Sequence, residues 1–169
     1  MTAVLTAPER AVLAQPPRIG FIMEQDVGHA IQALHLRREL RQRPELDWRY
    51  IPVTFHQPDG IIERLPLPST LRASLRARRE VLTGIDGWQP RVLFWNTQKP
   101  AVLCQELLER LPSVISLDVT PRQYDAIGAE YGHRADRFPP LAAAKHLLNR
   151  RVFALARRLL PATHWTAQS

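Results

Sequence analysis

Arg18-Ile-Gly-Phe-Ile-Met-Glu24 is a short apolar run, bounded by Pro17 on one side and by the polar segment Gln25-Asp-Val-Gly28-His29 on the other. Its length and its bounds predict a strand followed by a loop. From Ala30 to Arg43, Ile31, Leu34, His35 and Leu40 recur at helical spacing, and Pro44 ends the helix. Asp47-Trp-Arg-Tyr-Ile-Pro-Val-Thr54 then alternates sides through Trp48 and Tyr50 and reads as a second strand, with Pro52 placing it near an edge or at a strand end.

The same alternation continues outward. An irregular connection from His56 to Pro68 leads to Ser69-Thr70, which caps a helix through about Val81, and Gly84 and Gly87 end that segment. Arg91 to Trp95 is the third strand, Ala101 to Leu111 a helix between Pro100 and Pro112, and Ser113 to Asp118 the fourth strand. Pro121 opens a short irregular or helical stretch, and Leu141 to Leu160 reads as one long helix. Strands alternating with helices predict an α/β fold: a doubly wound parallel sheet, Rossmann-like, with helices on both faces. Residues 18–169 form that domain, and Met1 to Pro17 read as a flexible tail without the basic start of a signal peptide.

Composition narrows the function classes. A chain of 169 residues with 45% hydrophobic and 23% charged residues is an ordinary globular domain, able to bury roughly 70% of its unfolded surface. No apolar run approaches the ~18 residues of a membrane span. The single cysteine, Cys104, excludes an intrachain disulfide and fits a cytoplasmic location. The net charge of +7 favours anionic partners, although only Lys99 and Lys145 are lysines and the arginine bias partly mirrors a GC-rich genome.

In an open α/β sheet the ligand lies beyond the carboxyl ends of the strands. Those ends carry Glu24 to His29, Thr54 to His56, Asn96 to Gln98 and Asp118 to Pro121. Gly28 and His29 lie in the loop that joins the first strand to the first helix. Gly28 lets the backbone approach a ligand and the helix start offers free N–H groups to an anion or a hydroxyl, but the full glycine fingerprint of a dinucleotide site is absent. Asp118 and Thr120 suit hydrogen bonding to a sugar, and equally suit capping before Pro121. Asn96 and Thr97 suit a neutral hydroxylated ligand, or simply make a polar loop. The six histidines and one cysteine form no metal-ligand spacing, so neither a metal nor a cofactor is expected.

Lys145, Arg150, Arg151, Arg157 and Arg158 put five basic residues and no acid on the stretch from Leu141 to Leu160, against an apolar stripe of Leu141, Ala144, Leu148, Val152, Leu155 and Leu159. Such a helix either faces the core with a solvated basic side or touches an anionic membrane surface. Nucleic acid is disfavoured, because the arginines scatter over three helices without a reading module.

Ser116-Leu-Asp-Val-Thr-Pro-Arg-Gln-Tyr-Asp125, Tyr131-Gly-His133, Lys145 with Asn149-Arg-Arg151, and His164-Trp-Thr-Ala-Gln-Ser169 resemble the amino-terminal half of a family 4 glycosyltransferase of the GT-B type. Thr163 stands where that pattern has a serine. The likeness spans about residues 18–169. It implies one half of a two-domain architecture: this half holds a lipid or saccharide acceptor, and a second domain, outside this chain or on a separate one, binds the nucleotide-sugar. Residues carried over to acceptor binding are Gly28, His29, Asp118 and Thr120, with Asn96 and Thr97 at the adjoining strand end. The implied protein is inactive alone and peripheral at the inner membrane face. A basic RNA- or protein-binding module without transferase activity is the alternative. A small enzyme using Asp118 and His29 as an acid–base pair is a third possibility, and it requires those two side chains to converge.

Overall fold

The computed structural model describes residues 16–25, 27–55, 60–66, 69–131 and 139–169. The expected tail up to Ala14 and Gln15, together with Asp26, His56 and His133, lies outside the described residues. Five strands, β1 (Arg18–Glu24), β2 (Asp47–Val53), β3 (Val92–Trp95), β4 (Ser113–Leu117) and β5 (Arg158–Pro161), form one sheet in the order β2-β1-β3-β4-β5. Every pairing is parallel. The helices are α1 (Val27–Arg41), α2 (Ser69–Ile85), α3 (Gln105–Arg110), α4 (Pro121–Ile127), α5 (Pro139–Leu155) and α6 (His164–Ala167). The expected doubly wound α/β architecture is what the chain adopts.

Strand alternation sorts the core into two layers. Ile22, Trp95 and Ile115 share one face through their register, and Ala77 and Val81 of α2, Leu107 and Leu108 of α3 and Val152 of α5 cover it. Phe21 and Met23 point the other way, onto Ala33 and Leu40 of α1. The chain leaves β1 toward β2 and returns past β1 to β3. Right-handed crossovers therefore put α1 on one face and the later helices on the other. That reversal creates the crevice between β1 and β3 at their carboxyl ends.

Three local expectations are corrected. The helix beginning at Ser69 runs through Gly84 to Ile85, and the turn comes at Gly87, whose φ is +63°. Gly84 lies inside the helix because α2 descends onto β2 there: a Cβ at this position would stand 2.5 Å from Ile51 Cγ2. The stretch from Ala101 to Leu111 is a short 3-10 turn, Lys99–Ala101, followed by the helix Gln105–Arg110. The helix expected to reach Leu160 stops at Leu155, and Arg158–Pro161 pair with β4 instead. The Arg157 N–H bonds Ser113 O at 2.8 Å, and the Ala162 N–H bonds Leu117 O at 2.7 Å just past Pro161, which has no N–H to give. Main-chain pairing along an existing strand outweighs a helical stripe that happens to run on through Leu159.

Candidate functional site

The carboxyl end of β1, the floor that topology assigns to the crevice, is a buried carboxylate. Glu24 closes β1 with no exposed surface. The Thr97 hydroxyl donates to its Oε2 at 2.5 Å, and the Lys99 ammonium reaches Oε1 at 3.0 Å. Asn96 grips the same residue by its backbone, accepting from the Glu24 N–H at 2.7 Å and donating to its carbonyl at 3.4 Å. A buried charge demands such partners, and here hydroxyl and ammonium supply them. Lys99 itself is about half exposed and lies 5.5 Å from the centre of the Phe55 ring. Gln25 ties in β2, donating to Met23 O and to the Tyr50 hydroxyl, both at 2.8 Å.

Above this floor stand the accessible groups. His29 lies in the first turn of α1 and is largely covered, while the Asp118 side chain just beyond β4 is 58% exposed. His29 Nε2 and Asp118 Oδ2 are 3.8 Å apart, so the two side chains do converge. That distance is too long for a direct hydrogen bond and leaves each group a free valence toward a third. Asp118 Oδ1 is occupied by the Val119 N–H at 2.8 Å, which fixes the carboxylate plane and leaves Oδ2 for the histidine side. Gly28 is exposed, and a Cβ placed on it would meet nothing within 4 Å, so open space faces the start of α1.

The six expected ligand-facing residues therefore divide. Gly28 and Asp118 are exposed, and the largely covered His29 approaches Asp118. Asn96 and Thr97 are buried and committed to Glu24. Thr120 is buried as the N-cap of α4: it forms a capping box with Gln123, and its hydroxyl lies 2.7 Å from the Ser169 hydroxyl. The capping chemistry read beside the sugar-binding one is the role its contacts give it.

The basic set also divides. Lys145 and Arg150 and Arg151 sit on α5, but Arg157 lies in the connection and Arg158 opens β5, so the five do not share one helix face. Lys145 is paired with Asp125 at 2.7 and 3.0 Å, and Arg151 with Glu109 at 2.7 Å. Arg150, Arg157 and Arg158 are exposed. No helix among the described residues is long and apolar enough to cross a membrane.

Two features escaped sequence reasoning. One is the role of Glu24, for which the sequence offers a single signal, a carboxylate terminating an otherwise apolar strand. The second is the segment after β5, which folds back over β4: Thr166 donates its hydroxyl to Asp118 O at 2.5 Å, and Gln123 Nε2 donates to Trp165 O at 2.7 Å. Nothing local in the sequence announces that contact across more than forty residues.

A separate groove of about 480 Å3 runs along β2 and α2, lined by Arg49, Tyr50, Pro52, Arg76, Arg79 and Glu80. Its one acid is already engaged, with Glu80 accepting from the Thr54 N–H and hydroxyl at 2.8 and 2.7 Å. Among the described residues no three His, Cys, Asp or Glu side chains gather where a metal ion would be held. No protein-family model matches the chain and no curated protein matches it in sequence, so the reading of this site rests on its own geometry.

Proposed function

We propose that this chain is the acceptor-side domain of a GT-B glycosyltransferase, holding a lipid-linked or free saccharide while a nucleotide-sugar is bound elsewhere, on a second domain or separate chain. The observation that carries this is the approach of His29 to Asp118 at 3.8 Å beyond the strand ends, beside the open start of α1. A hydroxyl group placed between them donates to Asp118 Oδ2 and accepts from a proton on His29 Nε2. One neutral hydroxyl thus satisfies both side chains. The exposed Arg157 and Arg158 lie at the amino edge of the sheet, opposite this site, so the reading does not rest on a membrane contact through them.

The test is binding without turnover. Ligand-observed NMR with mono- and disaccharides and a short-chain glycolipid should detect saturable binding that His29→Ala and Asp118→Asn each weaken about tenfold, the loss of one good hydrogen bond to a charged group. The chain alone should not consume a nucleotide-sugar. Absence of saccharide binding, together with a salt-sensitive shift on mixed RNA, would replace this reading with the nucleic-acid module. The convergence of His29 and Asp118 also favours a second reading, a stand-alone acid–base enzyme. Turnover of a small hydroxylated substrate by the isolated chain, lost in His29→Ala, would select it.

A further inference from the structure

We propose that Trp165 is a stacking platform for a sugar ring at the rim of the His29–Asp118 site, which makes the ligand a ring-bearing saccharide unit and not a bare lipid hydroxyl; this rests on the acceptor reading above. The chain has four tryptophans. Trp95 is completely buried, Trp48 packs into the α1-side core, and Trp88 carries the Arg49 guanidinium 4.9 Å from its ring centre. Trp165 belongs to neither core cluster and is 48% exposed.

Exposure alone assigns nothing, but the backbone beneath this indole is fixed to the site. Thr163 caps α6 by accepting from the Thr166 N–H at 3.0 Å. The Trp165 carbonyl is held by Gln123, the next residue's hydroxyl holds the carbonyl of Asp118, and Ser169 holds Thr120. The indole is therefore carried on a base bonded to the same strand end that presents the Asp118 carboxylate.

A pyranose has two kinds of surface: an edge of hydroxyls and a face of C–H groups. His29 and Asp118 offer charge and polar atoms for the edge, and an indole offers a flat polarizable surface for the face. A lipid tail needs no polar pair, and a small polar metabolite needs no aromatic plane. The combination selects the amphipathic ring.

Isothermal titration of the full chain with a panel of mono- and disaccharides tests this, alongside tryptophan fluorescence. In the wild type, the ligand that binds should change the emission of the exposed tryptophan. Trp165→Phe should keep the affinity within about threefold, because a flat ring remains, and should abolish the emission change. Trp165→Ala should lower affinity about tenfold, or 1.4 kcal/mol, with an unchanged melting temperature. Unchanged affinity in Trp165→Ala, while His29→Ala loses binding, would overturn the platform and leave the acceptor reading standing. Failure of the wild type to bind any saccharide would remove both.

Discussion

Cys104 shows at the residue scale how position sets chemistry. It is fully buried at the start of α3, and burial, with the Glu106 carboxylate second, pushes its thiol from 9.0 up to about 12 against the opposing influence of Arg78. Thiolate is the reactive form, so the native chain should resist a disulfide reagent at pH 8 and react only as fast as it opens. The sign of the linkage follows. The folded state holds this proton more tightly than the unfolded one, so the group's contribution is complete below pH 9 and is lost as pH rises toward 12. Labelling kinetics with and without guanidinium check the first statement, and denaturation midpoints for wild type and Cys104→Ala between pH 8 and 10.5 check the second. The wild type should lose its margin over this range more steeply than the variant. Rapid labelling of the folded chain at pH 8 would contradict the burial argument. Glu24 is the complementary case: a buried carboxylate held by a hydroxyl and an ammonium, with its exposed partner Lys99 reaching from it to solvent.

At the scale of elements, α4 carries the sharpest expectation. Its N-cap, Thr120, satisfies the Gln123 N–H and is reciprocally satisfied through the Gln123 side chain, while Pro121 presets the first helical turn. Thr120→Ala should therefore destabilise the chain by about 1 kcal/mol, a fall of ~3 °C in melting temperature for a domain of this size. Ser169→Ala removes only the hydroxyl contact and leaves the cap, so its effect should be less than half as large; calorimetry of the two variants compares them. Equal losses would mean that the C-terminal contact, not the cap, carries the stability. The cap was legible in the sequence, because Asp118 or Thr120 before the helix-starting Pro121 is a local pattern; the reciprocal part of Gln123 is not in that reading. Also legible were β1, β2 and the presence of a helix between them, although that helix begins at Val27, ahead of the expected Ala30 and with Gly28 inside it, and leaves Ile31 and Leu34 exposed. β5 was not. Leu148, Val152, Leu155 and Leu159 keep helical spacing across the boundary, and only pairing with Val114 to Leu117, forty residues away, makes Arg158–Pro161 a strand. The same reason hid the roles of Asn96 and Thr97: their partner is a glutamate more than seventy positions earlier.

For the whole molecule, the strand order β2-β1-β3-β4-β5 makes a directional claim. All five strands are parallel, so every carboxyl end lies at one edge of the sheet and every amino end at the other. The reversal of winding at β1 and β3 opens a crevice only at the carboxyl edge. The residues there come from distant parts of the chain: Gln25 and the start of α1, Asn96 to Gln98, and Asp118 to Thr120. A ligand binding as proposed should therefore perturb these three segments together. In a nitrogen-15 correlation spectrum of this 19.4 kDa chain, titration with a binding saccharide should shift the amides of Gly28, His29, Asn96, Thr97, Val119 and Thr120, and that of Trp165 with them. Amides at the opposite edge, at Ile19, Val92, Ser113 and Arg158, should stay in place. Shifts confined to Arg49, Arg76 and Arg79 would move the site to the groove along β2 and α2. Shifts at the amino edge would contradict the crevice argument itself, because no reversal of winding opens the sheet there.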